Sequence, residues 1–201
     1  MKIDLHVHSL DRSPCALSWD VEQVQAAIQC GLDAFVLTEH DRLVPQRRLA
    51  ALNEKYAPFR VFGGAEITLW EGEHALVLGI HDPALETMAW TYPKLHDFVR
   101  AQNGWLALAH PFRFSVRIKI DIERYRPDAI EACSINIPRG NVPRIRELAE
   151  ELGIPIVCNS DAHRTANLGA GYNLLDRTPE DERDLIDLLK AGAFRCICQR
   201  T

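Results

Sequence analysis

Residues 3–8 read Ile-Asp-Leu-His-Val-His, and this alternation of apolar and polar side chains decides the expected fold. Successive side chains of a β-strand point to opposite faces. The apolar side chains therefore share one face, and the other face carries Asp4, His6 and His8. The pattern predicts a first strand that packs against helices on one side and directs two imidazoles inwards. Asp4 would accept a hydrogen bond from one of these histidines.

Further strand and helix patterns extend outward from this segment. Short apolar runs typical of strands cover residues 34–38, 61–67, 75–80, 105–110, 129–134, 154–159 and 193–198. Helical spacing is found at residues 20–30, 93–103, 142–152 and 179–191, and a glycine follows each segment. Strands that alternate with helices predict a mostly parallel sheet covered by helices. About seven such units are fewer than the eight of a full β/α barrel.

Composition indicates a folded domain rather than a disordered or membrane protein. Of the 201 residues, 47% are hydrophobic and 25% are charged, and the net charge is −5. No apolar run approaches the roughly 20 residues that a membrane helix needs. The chain starts without the apolar run of a signal peptide, so we expect a cytoplasmic protein. With no linker or repeat, residues 1–201 are expected to form a single domain.

The six cysteines are spread along the chain without a CxxC pair. Since no secretion signal accompanies them, they are expected to be reduced thiols. Cys196 and Cys198 alternate in a strand-like segment and are expected to fill gaps in the core.

Residues that bind metals fall at the ends of five predicted strands. They are His6, His8, His40, Glu66, His110, Asp161 and His163. The carboxyl ends of parallel strands converge on one face of a barrel, and this face carries the chemistry. The pairs 6/8 and 161/163 are both spaced i, i+2, so each pair lies on one face of its strand. The spacing therefore predicts one metal centre.

The donor types narrow the identity and number of the ions. Imidazole and carboxylate without thiolate suit zinc, manganese or iron rather than calcium. So many ligands exceed the needs of one tetrahedral ion, and at least two ions are implied. Glu66 and Asp161 are the two candidates for a bridging carboxylate. Such a site is positively charged, suits a phosphate group and lowers the pKa of a bridging water towards neutrality.

Five motifs carry a resemblance to a known family. They read Asp-Leu-His-Val-His-Ser at residues 4–9, Leu-Thr-Glu-His-Asp at 37–41, Gly-Ala-Glu-Ile at 64–67, Ala-His-Pro-Phe-Arg at 109–113 and Asn-Ser-Asp-Ala-His at 159–163. In this order, over about four-fifths of the chain, they resemble the PHP (polymerase and histidinol phosphatase) family. The resemblance implies an α/β fold, a distorted seven-stranded (β/α)7 TIM-like barrel. It also implies hydrolysis of phosphate esters with two or three metal ions.

The resemblance assigns ligand roles to individual residues. The implied ligands of a first ion are His6, His8, Glu66 and Asp161. Glu66 is implied to bridge to a second ion, which His74 and His110 complete. A third ion, or the phosphate, is assigned to His40 and His163. His74 begins an apolar run instead of ending a strand, so only the resemblance supports it as a ligand.

One position departs from the family pattern. Many members carry a further Asp or His ligand where this chain has Ser13 and Pro14. Three alternatives remain open at this stage. Asp11 or Cys15 substitutes for the missing ligand, or the centre holds only two ions.

The expected mechanism is attack of a metal-bridging hydroxide on phosphorus, with Glu66 as the bridge. Arg113 follows the His-Pro pair, where its planar fork would clamp the phosphate; the alternative is a solvated surface arginine. His40 or His163 would protonate the leaving group. Further expectations concern residues outside these motifs. Arg139 and Asn141 would assist substrate binding, Asp41 would orient a neighbouring group, residues 112–126 would form an insertion or lid, and His81 and His96 would be surface residues.

Three functions compete at this point. The first is a phosphoesterase that acts on a small phosphorylated metabolite or nucleotide. The second is an exonuclease that trims single-stranded ends, which requires a basic groove with stacking aromatic residues. The third is a non-catalytic metal-binding accessory module. The expected partner is a small phosphorylated substrate or a short nucleic acid, and no membrane binding is expected. The oligomeric state is left open.

Overall fold

The computed structural model describes residues 1–199, which contain nine β-strands and six α-helices. The strands are β1 (Lys2–Val7), β2 (Ala34–His40), β3 (Arg60–Thr68), β4 (His74–Leu78), β5 (Trp105–Ala109), β6 (Ala129–Cys133), β7 (Ile156–Cys158), β8 (Gly171–Leu175) and β9 (Phe194–Cys198). The helices are α1 (Asp20–Gln29), α2 (Gln46–Tyr56), α3 (Ala84–Thr87), α4 (Tyr92–Ala101), α5 (Val142–Leu152) and α6 (Glu182–Lys190). Short 3₁₀ turns cover Arg139–Asn141 and Thr165–Asn167. No helix within this range is long and apolar enough to cross a bilayer.

The strands form one sheet in the order β7-β6-β5-β4-β3-β2-β1-β8-β9. Strands β1 to β3 are mutually parallel, and so are β5 to β7. Strand β4 is antiparallel to both of its neighbours, and β8 is antiparallel to β1 and β9. The mixed α/β class is therefore observed, but the seven-strand (β/α)7 count is not confirmed. The segment 171–175 was not expected as a strand, because glycine and asparagine are poor strand formers.

The sheet is curved into a nearly closed barrel, and a seam between β7 and β8 completes it. Asn173 of β8 accepts a hydrogen bond from the Cys158 backbone N–H and donates one to the Cys158 carbonyl, at 3.1 and 2.9 Å. At Gly171 the two backbones approach so closely that a Cβ would overlap the Asn159 carbonyl oxygen. The amide side chain of Asn173 thus replaces part of a regular strand ladder.

The seam also corrects the expectation of six reduced thiols. Cys133 at the end of β6 and Cys198 at the end of β9 form a disulfide, with Cα atoms 6.1 Å apart. Curvature of the sheet brings these sequence-distant strands together, and cysteine spacing alone does not reveal this. Cys198 is exposed and Cys196 half-buried, so neither residue fills the core as expected. The physical reason is that β9 is the last strand of the sheet.

Apolar faces of the helices cover the outside of the sheet. Ile3 and Leu5 lie in a core cluster with the buried leucines of α6, and Val7 packs in another cluster with Val24 and Ala27 of α1. This agrees with the alternation in the first strand. The face of β1 that carries Asp4, His6 and His8 is therefore free to point inwards, and all three side chains are buried.

Two helix boundaries show what terminates the elements. Helix α5 ends where expected, because Gly153 adopts the left-handed conformation (φ 59°) that closes a helix. Helix α6 begins three residues later than the sequence indicates. Its N-cap is Asp181, whose carboxylate accepts a hydrogen bond from the Asp184 backbone N–H at 2.8 Å.

Candidate metal centre

Glu66 is the hub of a buried histidine cluster at one end of the barrel. It lies near the end of β3, and its side chain is fully buried. Its Oε2 atom lies 3.1–3.2 Å from nitrogens of three rings, those of His6, His8 and His40. Its Oε1 atom lies 2.7 Å from His74 Nδ1 and from His110 Nε2. The two carboxylate oxygens therefore face two different sets of imidazoles, as a carboxylate shared between two ions would.

Asp161 supplies the second carboxylate of the cluster. Its Oδ1 atom lies 3.4 Å from His6 Nε2, 3.3 Å from His8 Nε2 and 3.4 Å from His163 Nδ1. The backbone at Asp161 is left-handed (φ 53°), a conformation that costs energy for a residue with a side chain. His110 also has a positive φ, of 26°. At both positions, the chain turns sharply just beyond a strand, so the side chain points into the cluster.

The ligand atoms gather into three groups, in each of which all atoms lie within 4.8 Å of one another. The first group contains His6, His8, Glu66 and Asp161. The second contains His40, Glu66 and His74, and the third contains His8, His40 and His163. The first group equals the ligand set that the resemblance implies for one ion. The structure thus brings together all eight predicted ligands, although His110 contacts Glu66 without belonging to a group.

Strand direction explains the position of His74. This residue starts β4, which runs antiparallel to β3, and its Cα partner is Thr68 at the end of β3. The start of β4 therefore lies at the same edge of the sheet as the ends of the parallel strands. Position in the sequence suggests a surface histidine, whereas the strand order places the side chain, which is 15% exposed, against Glu66.

Unsatisfied buried atoms test whether these residues fit a metal. Both ring nitrogens of His8 and the Oδ1 atom of Asp161 are buried and make no well-aligned hydrogen bond among the described residues, although His8 Nε2 lies 3.1 Å from Glu66 Oε2 and 3.3 Å from Asp161 Oδ1. Leaving such atoms unpaired costs about 1–3 kcal/mol each. Imidazole nitrogen and carboxylate oxygen are donors that suit zinc, manganese or iron. The unpaired atoms and the donor chemistry therefore fit bound divalent ions.

The electrostatics of the cluster follow from burial and opposite charges. Burial raises the pKa of Glu66, but the charge of His6 and hydrogen bonds from His110 and His6 hold it well below its usual range. Burial lowers the pKa of His8, while the nearby carboxylates of Asp161 and Glu66 raise it to about 9. Without metal, His8 therefore carries a proton at neutral pH, and both carboxylates stay ionised.

His40 and His163 behave differently from His8. Burial lowers the pKa of His40 to about 4 and also lowers that of His163. Both imidazoles are therefore neutral at pH 7, which is the state that metal ligation requires. The proton-donor role expected from the sequence requires the protonated form, so the electrostatics disfavour it.

Sequence reasoning missed Glu131, a fully buried acid in β6. Its carboxylate lies 3.0 Å from His6 Nδ1 and accepts hydrogen bonds from the His110 backbone N–H and from Asn159 Nδ2. Glu131 thus orients the His6 ring, a role that was expected for Asp4. Asp4 instead accepts hydrogen bonds from the backbone N–H groups of His6 and Ser160. A single acid within the apolar run 129–133 was the feature of the sequence that could have indicated this role.

The position that departs from the family pattern has a structural role. The Ser13 hydroxyl donates to buried Glu39 and accepts from the His40 backbone N–H. Asp11 accepts a hydrogen bond from the Asp20 backbone N–H at the start of α1, at 2.9 Å. Cys15 is exposed. Within residues 1–199, neither Asp11 nor Cys15 belongs to any of the three ligand groups.

Arg113 lies at the rim of the cluster. Its Nη1 atom is 3.2 Å from Asp161 Oδ2, which also accepts a 2.7 Å hydrogen bond from Asn136 Nδ2. The guanidinium also lies over the ring of Phe114, which contacts the rings of His74 and His110. Arg113 is thus a cation held beside the ligands, and its side chain remains 27% exposed.

The remaining candidates lie outside the cluster. Asn141 donates to the Phe112 carbonyl at 3.1 Å, and Arg139 is exposed. Asp41 accepts a hydrogen bond from the Thr68 backbone N–H and so holds the end of β3, as an orienting residue would. His81 and His96 pair with the acids Glu182 and Asp97 away from the centre. A role of Arg139 and Asn141 in substrate binding therefore stays a prediction.

Comparison with protein-family models gives a match over about a quarter of the chain. Residues 142–194 match a family model described as PHP-associated. No curated protein sequence matches the chain.

Several solved structures share the fold at low sequence identity. PsfC from Pseudomonas syringae aligns with a TM-score of 0.69 and 21% identity over 92% of this chain and 87% of its own. A two-domain protein from Bacteroides vulgatus, which contains a predicted PHP-like metal-dependent phosphoesterase, aligns with a TM-score of 0.75 and 17% identity over 98% of this chain and 64% of its own. An amidohydrolase from Chromobacterium violaceum, with bound sulfate and no metal, aligns with a TM-score of 0.69 and 17% identity over 98% of each chain.

Proposed function

We propose that this chain is a metal-dependent phosphoesterase of the PHP family, which hydrolyses a phosphate ester of a small metabolite or nucleotide. One observation carries the proposal. A buried carboxylate, Glu66, faces five imidazoles at the mouth of the barrel, and a cationic Arg113 lies beside the second carboxylate, Asp161. Phosphoryl transfer depends mainly on positioning and on stabilisation of negative charge, which such a site provides.

The chain's own residues divide into holding and binding groups. His6, His8, Glu66 and Asp161 would hold a first ion, and Glu66 with His74, helped by His40 or His110, a second. When bound, these ions supply Lewis acids for the phosphoryl oxygens and lower the pKa of coordinated water. Zinc, manganese and iron all suit the donors. The proposed centre holds two or three ions. The third ion would be held by His8, His40 and His163.

Arg113 is the residue best placed to bind substrate. Its Nη1 atom contacts Asp161, and its side chain is 27% exposed. A planar guanidinium binds phosphate oxygens through two parallel hydrogen bonds. The ring of Phe114 supports the guanidinium from one side. We assign to Arg113 the positioning of the phosphate. To Asn136, which donates a hydrogen bond to the same Oδ2 atom of Asp161, we assign the positioning of that carboxylate.

A substrate panel tests the proposal. The metal-stripped protein is reconstituted separately with Mn²⁺, Zn²⁺ and Fe²⁺, and phosphate release is measured with sugar phosphates, glycerol phosphate, nucleoside monophosphates and short single-stranded oligonucleotides. We expect metal-dependent release from small monoesters, which Asp161→Asn abolishes and His81→Gln leaves intact. Shortening of the oligonucleotides without phosphate release from the small monoesters would favour the exonuclease. Metal binding without turnover of any substrate would favour the accessory module.

A further inference from the structure

Four of the six cysteines meet at the seam that closes the barrel. Cys133 of β6 is the Cα partner of Cys158 at the end of β7. Cys196 and Cys198 are spaced i, i+2 on β9, so their side chains lie on one face of that strand. The Cys133–Cys198 disulfide therefore joins one residue from each of these two pairs. The remaining pair consists of Cys158 and Cys196, which are free thiols.

Asn173 links the two residues that carry the free thiols across the same seam. Asn173 is the Cα partner of Cys196 in the antiparallel β8–β9 ladder. The Asn173 side chain hydrogen-bonds both backbone polar groups of Cys158. These contacts place Cys158 and Cys196 next to each other across the seam, and each thiol shifts the pKa of the other. The seam thus has two neighbouring cysteine pairs, one covalently joined and one open.

We propose that Cys158 and Cys196 are a redox-active dithiol, a modification site at which a small-molecule disulfide is reduced while a second disulfide forms across the seam. The proposal concerns residues outside the metal centre and does not depend on the proposed function. Oxidised glutathione represents the chemical class of the oxidant.

The reaction proceeds by two exchange steps that balance. The Cys196 thiolate attacks one sulfur of the small disulfide RSSR, forms a Cys196–S–S–R bond and releases RS⁻. The Cys158 sulfur then attacks the Cys196 sulfur, forms the Cys158–Cys196 bond and releases a second RS⁻. The protons of the two cysteine thiols pass to the two released thiolates. Two protein thiols are oxidised, and one RSSR is reduced to two RSH.

Accessibility and electrostatics set the order of these steps. Cys158 is fully buried, whereas Cys196 is half-buried on the last strand, so only Cys196 is open to a small molecule. Interaction with the Cys158 thiol lowers the pKa of Cys196, and burial of the Cys196 thiol acts in the opposite direction. The thiolate is the attacking species, so Cys196 is the nucleophile and Cys158 the resolving cysteine.

Peptide mapping after oxidation tests the pair. The protein is incubated with oxidised glutathione at neutral pH, free thiols are alkylated, and cysteine peptides are analysed by mass spectrometry without reduction. We expect a peptide pair linked through Cys158 and Cys196, with Cys133–Cys198 intact. In Cys158→Ala, the exchange should stop at a stable glutathione adduct on Cys196. A reducing agent should release the new link.

Two further variants complete the experiment. Cys196→Ser should give no linked peptide and leave Cys158 free for alkylation only after unfolding. Cys30→Ser removes an exposed cysteine at the C-terminal end of α1 and serves as the matched control. In this variant, the Cys158–Cys196 link should form as in the protein without substitutions. A persistent glutathione adduct on Cys196 of the unmodified protein, or a new pairing that consumes Cys133 or Cys198, would overturn the proposal.

Discussion

Replacing Glu66 by glutamine tests the metal centre most directly. The substitution keeps the size of the side chain and removes one negative charge from the carboxylate that faces five imidazoles. Glu66 belongs to two of the three ligand groups, so the change acts on two ions at once. Removing one partner of a buried charge pair costs about 3–5 kcal/mol. At about 1.4 kcal/mol per tenfold change, metal affinity should fall roughly 140- to 3,700-fold.

Two other Glu→Gln variants provide a graded comparison. Glu131 is equally buried but contacts the His6 ring nitrogen opposite the cluster, so Glu131→Gln should weaken metal binding by about 10- to 100-fold. Glu182 pairs with His81 away from the centre, and Glu182→Gln should bind metal normally. Affinity is measured by titrating the stripped proteins with Zn²⁺ against a competing indicator, and content by elemental analysis. Unchanged metal content and affinity in Glu66→Gln would refute Glu66 as the shared ligand.

Three further predictions follow from the same geometry. Arg113→Ala should retain metal but lose about 2–4 kcal/mol of transition-state stabilisation, or roughly 30- to 900-fold in kcat/KM for a phosphomonoester. Arg117→Ala, in the same segment, is the control, and full activity of Arg113→Ala would remove Arg113 from the reaction. Metal uptake should release protons and tighten as pH rises from 7 to 9, because the carboxylates raise the pKa of His8 to about 9 and ligation requires the neutral ring. Calorimetry in two buffers of different ionisation heat measures the proton release, and the absence of proton release at pH 7.5 would contradict the prediction. Chelation should lower the melting temperature by about 5–11 °C if the free metal had been 100 times its Kd, because binding at that concentration contributes about 2.7 kcal/mol. A thermal shift assay with metal re-addition measures the change, and an unchanged melting temperature would show that no stabilising ion was lost.

Several features of the fold were predictable because they depend on local patterns. Alternation in residues 3–8 predicts a strand with His6 and His8 on one face, since adjacent side chains must point in opposite directions. Helical spacing with a following glycine located α5 at its observed bounds, because Gly153 adopts the left-handed backbone that ends a helix. The position of donors at strand ends likewise indicated a single cluster, which the structure brings together around Glu66.

Other features depend on strand direction and on the closure of the sheet, which local patterns do not encode. His74 reaches Glu66 because β4 runs antiparallel, so that the start of β4 meets the end of β3. Glu131 faces His6 across 125 residues of sequence, and only the curvature of the sheet brings β6 to β1. The same curvature joins Cys133 to Cys198 and places Cys158 beside Cys196. The sequence alone thus determined which donors face inwards and what chemistry they suit. Tertiary structure decided which donors meet, because burial and strand order control the distances between remote residues.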